Sequence, residues 1–267
     1  MAQARSEGEI ALKVVLLAGG LGTRIREESQ FIPKPMIEIG GRPILWHIMK
    51  IYSHFGFNEF IICAGYKQHV IKEFFARHNL YNSDVTFDFT DGGSITVHDD
   101  FSEPWKVTVI NTGYETNTGG RLMKIRRYLN GERFMMTYGD GVSDVDINAL
   151  LAFHESHGKI CTLTSVHPTT QFGVIEFDGN RVVAFREKTS KDVVNINGGF
   201  MVLEPNVFDF ITGDYMFENE PMNRLVAAGE VMAYKHEGFW QCMDTIRDKR
   251  NLETMWNAGR APWKLWD

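Results

Sequence analysis

The chain is 267 residues long, 43% hydrophobic and 23% charged, enough apolar sequence for an extensive buried core, which excludes a disordered, collagenous or coiled-coil polypeptide. Its 28 Lys+Arg against 34 Asp+Glu give a formal net charge of -6 with no long basic block, so no nucleic-acid or polybasic membrane-surface role is expected and any anionic ligand must be met by local cations. Cys63, Cys161 and Cys242 are too few and too dispersed for a disulfide framework or a tetrahedral zinc site, which fits a reducing cytosol.

Residues 1–12 are polar, contain two glutamates and lack the apolar run of a secretory signal. No apolar stretch approaches the ~20 residues needed to span a bilayer. A soluble cytoplasmic protein with a flexible N-terminal arm over 1–12 is expected, followed by one domain over 13–267. Val14 to Leu17 is an aliphatic run that stops at Gly19-Gly20-Leu21-Gly22 and predicts a buried strand ending in a loop. After Pro33, Pro35 and Pro43, the spacing of Ile44, Ile48, Ile51, Tyr52 and Phe55 predicts a helix of about three turns. Glu59 to Cys63 reads as a second buried strand and Val70 to Phe75 as part of the next helix. This alternation implies right-handed crossovers and a mainly parallel α/β sheet.

From Asp84 the apolar and polar residues alternate around Asp91-Gly92-Gly93, predicting an antiparallel hairpin in an insertion over about 84–110. The α/β rhythm resumes with a helix near Gly120 to Leu129, the strand Phe134 to Tyr138 and a helix from about Asp146. Ile160 to Val166, Gly173 to Phe177, Val182 to Arg186 and Phe200 to Leu203 read as strands, and Pro205 opens a short helix. A helical, aromatic C-terminal tail over about 244–267 carries Trp256, Trp263 and Trp266. Such a tail either covers the core or forms a subunit contact.

The segment Leu17-Ala18-Gly19-Gly20-Leu21-Gly22-Thr23-Arg24 follows a strand, where an α/β sheet presents its ligand crevice. Glycines there let backbone N–H groups approach phosphate oxygens closely. The loop is neither the P-loop GxxxxGK[ST] nor the dinucleotide fingerprint GxGxxG. Together with Pro33-Lys34-Pro35-Met36 it resembles the signature of the sugar-1-phosphate nucleotidylyltransferases, and GGRPILWHIMK, TGGR, TYGDGV, NGGF, GFWQCMDT and APWKLW extend the likeness to the cytidylyltransferase branch over nearly the whole chain. The resemblance implies a Rossmann-like nucleotidyltransferase fold, Mg2+ as cofactor, CTP and glucose 1-phosphate as substrates, and assembly into homo-oligomers. That last implication favours a subunit contact for the aromatic tail, with the hairpin as a second candidate.

The chemistry of such a transfer can be weighed against the residues. Two phosphorylated substrates bring about six negative charges near neutral pH, and the nucleophile is already an ionised phosphate oxygen. Catalysis then reduces to positioning and charge neutralisation, needing cations and a metal site and no nucleophile-base dyad. Arg24 offers a planar fork for the departing pyrophosphate, and Lys34, restrained between two prolines, a point charge. The resemblance assigns both to the triphosphate as catalytic cations and gives Leu17, Ala18, Gly19, Gly20, Gly22 and Thr23 to the nucleotide. Asp140, between Gly139 and Gly141 after a buried strand, should project into the crevice, and Asp244 occupies a second strand-to-helix position. The resemblance pairs them on magnesium, which favours one or two carboxylates plus substrate phosphates; a plain helix cap is the other reading of Asp244.

Asp144-Val145-Asp146 is a literal DxD, the metal motif of many glycosyltransferases, but it immediately precedes a helical pattern, and N-capping and dipole complementation are the better account of those acids. By the resemblance Thr112, Gly113, Gly119 and Arg121 contact the nucleotide, while Glu187, Lys188, Asn197 and Gly198 serve the sugar phosphate. Thr189 stands where the family usually carries proline after its Glu-Lys pair. The nine histidines show no HxxxH or HExxH spacing, so zinc chemistry is not expected.

Overall fold

The computed structural model describes residues 12–90, 92–167, 174–178, 181–186 and 195–266, with the backbone alone at 174–178 and 182–186. The first element, β1 (Lys13–Ala18), leads through the glycine loop to a short α1 (Arg26–Ser29), a 3-10 turn over Lys34–Met36 and the small ribbon β2 (Glu38–Ile39) and β3 (Arg42–Pro43). Then follow α2 (Ile44–His54), β4 (Glu59–Ala64), α3 (Gln68–Tyr81), the hairpin β5 (Ser83–Asp88) and β6 (Ser94–Asp100), β7 (Lys106–Asn111) and α4 (Thr118–Ile125). The second half contains β8 (Phe134–Tyr138), β9 (Gly141–Ser143), α5 (Ile147–His157), β10 (Cys161–Val166), the ribbon β11 (Val174–Asp178) and β12 (Arg181–Arg186), and β13 (Ile196–Leu203). It ends with α6 (Glu220–Ala227), β14 (Val231–His236), β15 (Trp240–Cys242) and α7 (Ile246–Asn257).

Seven strands form the central sheet in the order β14-β10-β13-β8-β1-β4-β7. All run parallel except β13, which is antiparallel to β8 and β10. Every residue of β1 is buried, as a strand covered on both faces requires. Val14, Leu16 and Ala18 join one core with α2, α5 and α7, while Val15 and Leu17 join the other with α4 and α6. Each buried Val or Leu side chain among these contributes roughly 1.5–3 kcal/mol. Because β13 is reversed, its first residues lie at the same sheet edge as the last residues of β1 and β8. The glycine loop, Asp140 and Asn197 are thereby gathered at one edge.

The hairpin forms where the alternation places it, but the expected insertion overruns. Residues 106–111 pair in register with β4, Glu59 opposite Lys106 and Ala64 opposite Asn111, and β7 is the edge strand of the central sheet. Its Val107 and Val109 pack against one core and Ile110 against the other, so the alternation that reads as ribbon is an edge strand's. No helix among the described residues is long and apolar enough to cross a membrane.

The aromatic tail covers this chain's own core, the first of its two expected readings. Trp263 is fully buried, stacked on Phe239 at 5.6 Å, and its indole donates to His47 Nδ1 at 3.4 Å. His47 Nε2 donates to the Ile39 carbonyl at 2.8 Å, so the neutral imidazole uses both nitrogens. Burial pushes its pKa from 6.5 down to about 4, against the opposing bond to Ile39. Below the ordinary histidine range the unfolded chain binds a proton that the folded chain refuses. Stability present above pH ~6.5 is therefore lost as pH falls toward 4, by about 2 kcal/mol at pH 5 from this one group. Urea unfolding at about pH 7.5 and pH 5 should show this loss and His47→Gln should flatten it; an equal loss in the variant would exonerate His47.

Candidate active site

The glycine loop, the turn holding Lys34, the end of β8 and the start of α7 enclose a crevice of about 480 Å³, lined among others by Gly19, Gly20, Thr23, Asn117, Tyr138 and Met216. Two glycines are sterically required. Gly22 has φ 62°, and a Cβ there would stand 3.1 Å from Lys34 Cβ. A Cβ on Gly19 would fall 2.1 Å from the Arg121 guanidinium. The loop thus packs directly on two cations.

Asp140 and Asp244 are brought together by a ribbon that sequence reading did not resolve. β9 pairs with β15, Gly141 opposite Cys242, and the Met243 N–H donates to the Asp140 carbonyl at 2.8 Å. Helix α7 begins at Ile246 with Thr245 as its cap, reciprocated by Asp248. Asp244 is therefore spared capping and points to the cluster.

Lys34 Nζ lies between the carboxylates, 2.6 Å from Asp140 Oδ2 and 2.6 Å from Asp244 Oδ1. Arg24 Nη1 donates to the other oxygen of Asp244 at 2.8 Å. Lys34 is buried, and burial alone would lower its pKa. The charges and hydrogen bonds of Asp140 and Asp244 outweigh that and hold it above the ordinary lysine value. Burial likewise pushes Asp244 upward, but Lys34 and Arg24 hold it below the usual carboxylate range. Neighbouring Cys242 is driven up to about 12, by burial first and the two aspartates next, which leaves an inert thiol. Two cations face two anions, so the cluster is neutral until a ligand arrives.

The nucleotidyl transferase family profile matches residues 13–249. The chain belongs to the nucleotidyl transferase family. It is 52% identical to the glucose-1-phosphate cytidylyltransferase of Salmonella typhi over 96% of this chain and 100% of the relative. To the probable glucose-1-phosphate cytidylyltransferase of Bacillus subtilis it is 42% identical, with the same coverage of both chains. The fold also matches a UDP-glucose pyrophosphorylase complexed with UDP-glucose at TM-score 0.67 and 13% identity, covering 94% of this chain and 100% of that one.

Within this family fold, the loop expected to contact the nucleotide is held by a dense set of internal bonds. Arg121 is buried and donates to Thr112 Oγ1 at 2.6 Å, to the carbonyls of Gly113 and Gly19 at 2.8 and 3.0 Å, and to that of Tyr114 at 3.4 Å. Its guanidinium pins the glycine loop to the 112–114 loop while still lining the crevice. The Thr112 hydroxyl is fully buried and donates to the Ala64 carbonyl at 2.7 Å. Gly119 N–H is taken by the Tyr215 carbonyl at 2.9 Å. Thr112 and Gly119 are loop architecture, and the crevice presents Thr116, Asn117, Thr118 and Arg121. Lys124, which no motif marks, steadies the loop through the Thr112 carbonyl at 2.7 Å and Thr116 Oγ1 at 3.0 Å.

At the other end, Asn197 Oδ1 accepts from the Gly199 N–H at 2.9 Å, its Nδ2 faces Tyr138 Oη at 3.4 Å, and the Gly198 carbonyl accepts from Trp240 Nε1 at 2.8 Å. Glu187 and Lys188 lie outside the described residues. The DxD pair is accounted for without metal: Asp146 caps α5 through Ala149 N–H at 2.9 Å, and Asp144 meets His236 at 2.9 Å.

Proposed function

We propose that the protein transfers a cytidylyl group from CTP to α-D-glucose 1-phosphate, forming CDP-glucose and releasing pyrophosphate. The observation that carries this reading is the convergence of Arg24, Lys34, Asp140 and Asp244, from four separate segments, on one crevice beside the glycine loop. The base and the sugar come from the similarity to the cytidylyltransferases.

An ionised phosphate oxygen of the sugar phosphate attacks the α-phosphorus. The bond from that phosphorus to the bridging oxygen breaks, and its electrons leave with pyrophosphate. No proton need move, in keeping with a cluster that contains no histidine or reactive thiol. Asp140 and Asp244 suit a magnesium ion: two carboxylates with oxygen-only donors already share one cation, the Lys34 ammonium, and substrate phosphates can complete an oxygen set. Magnesium, when bound there, would neutralise phosphate charge and polarise the α-phosphate. Arg24, 75% exposed at its side chain, can swing toward the triphosphate, where its fork matches two oxygens. Lys34 adds a charge held in a dry setting, where it acts more strongly than in water. The glycine-loop N–H groups cradle phosphate, Glu187 and Asn197, with Gly198, orient the hexose, and Lys188 holds the sugar phosphate, Glu187 and Lys188 being assigned from the family signature.

The hairpin, with Phe87, Phe89, Ile95 and Val97 exposed, and the partly exposed Trp256 and Trp266 of the tail are the two candidates for the expected contact between copies. The reaction is tested by pairing CTP, UTP, dTTP and GTP with several sugar 1-phosphates and scoring pyrophosphate with magnesium and with chelator. CTP with glucose 1-phosphate should dominate. Preference for another pair would reassign the substrates, and no pyrophosphate from any pair would reject nucleotidyl transfer.

A further inference from the structure

A carboxylate outside the ionic cluster stands where the walls of the crevice meet. Glu218 lies in the loop before α6. Its Oε1 accepts from Tyr138 Oη at 2.5 Å and its Oε2 from Thr118 Oγ1 at 2.7 Å. Tyr138 ends β8, two residues before Asp140. Thr118 opens α4, immediately after Thr116 and Asn117 of the crevice wall. The Thr118 oxygen also accepts from the Phe217 N–H at 2.7 Å, which leaves its proton for Glu218. Burial first, then the charge and hydrogen bond of Glu218, drive the Tyr138 phenol upward, so it too stays a donor.

The rest of this loop is fastened to the nucleotide end. Asn117 N–H donates to Asp214 Oδ1 at 2.9 Å, Asn117 Nδ2 to the Asp214 carbonyl at 3.0 Å, and Gly119 N–H to the Tyr215 carbonyl at 2.9 Å. Glu218 therefore joins a wall that follows the nucleotide loop to the strand that carries Asp140, and through Tyr138 to Asn197 at 3.4 Å. Both partners donate, and only an ionised carboxylate accepts at both oxygens. A glutamine would satisfy one and present an NH2 to the other.

We propose that Glu218 is a positioning residue for nucleotidyl transfer, locking the Thr118 end of the nucleotide loop to the β8 terminus so that the reacting phosphate and Asp140 keep one geometry. This rests on the nucleotidyl-transfer reading of the crevice. Displacement of a reacting group by about 1 Å can cost ~100-fold in rate, so the rate should respond more than affinity.

The test is steady-state pyrophosphate release from CTP and glucose 1-phosphate by wild type, Glu218→Gln, Thr118→Val, Tyr138→Phe and the Thr118→Val/Tyr138→Phe double variant, with thermal midpoints recorded for each. Glu218→Gln should lower kcat by ~10-fold or more while either KM moves less than ~3-fold. The two hydroxyl substitutions, which remove groups that do not touch each other, should be strongly non-additive, the double variant falling no further than Glu218→Gln. Turnover of Glu218→Gln within about two-fold of an active wild type, or hydroxyl effects that simply multiply, overturns the positioning role alone. If Glu218→Gln fails to fold, the hydroxyl cycle decides. A wild type that releases no pyrophosphate overturns the reaction itself, and the positioning role with it.

Discussion

Lys34→Met should lower the rate of pyrophosphate release by ~100-fold or more, the scale of losing one preorganised electrostatic donor to a transition state. Methionine keeps the length and apolar stem of the side chain and removes only the ammonium, so the buried turn between Pro33 and Pro35 loses little packing. What disappears is the charge that Asp140 and Asp244 share at 2.6 Å. A second consequence runs the other way. Without substrate the cluster is neutral, and a metal ion entering it must compete with a resident ammonium. The variant's carboxylates face each other uncompensated, apart from Arg24 on Asp244. It should therefore bind free Mn2+ more tightly than wild type, by ~10-fold or more, since the lysine no longer opposes the ion. Rate assays and an electron paramagnetic resonance titration of Mn2+ read the two effects separately. Undiminished turnover would remove Lys34 from the transition state, and unchanged Mn2+ affinity would mean that the metal binds elsewhere.

Asp140→Asn and Asp244→Asn should each cost ~100-fold or more at fixed magnesium, and they should differ in kind. Asp140 holds Lys34 alone in the cluster, whereas Asp244 holds Lys34 and also Arg24 through its second oxygen. Asp140→Asn should therefore be partly rescued by raising the magnesium concentration, because the pairing of Arg24 survives. Asp244→Asn frees Arg24 as well, so saturating magnesium should restore less. Chelating the metal from wild type should abolish turnover. Full activity in chelator would contradict the assignment of both aspartates.

Much of the fold is legible because its strands are of the doubly covered kind. A run such as Val14 to Leu17 has few ways to be buried other than as a central strand, and Phe134 to Tyr138 is likewise continuous and apolar. The four residues of the ionic cluster were legible through signature spacing, which no local pattern could have supplied. What escaped depends on pairings that leave little mark in sequence. The β9–β15 ribbon is three residues on each side and joins segments about a hundred residues apart; it determines that Asp140 meets Asp244. The burial of Arg121 escaped for a different reason. A guanidinium beside a glycine loop satisfies itself equally well on phosphate or on carbonyls, and only the fold shows the carbonyls of Gly19, Gly113 and Tyr114 converging on it. Glu218 carries no motif, and the aromatic tail has the composition of an interface although Trp263 is wholly internal.

The most direct measurement is a structure of the protein with CTP and magnesium bound. The triphosphate should lie within hydrogen-bonding reach of Lys34 and Arg24 at the glycine loop, the ion on Asp140 and Asp244, and the Lys34 ammonium should have left the carboxylates for phosphate oxygen. A nucleotide bound elsewhere, with Lys34 still bridging the two aspartates, would show that this cluster holds the fold together and does not carry the reaction.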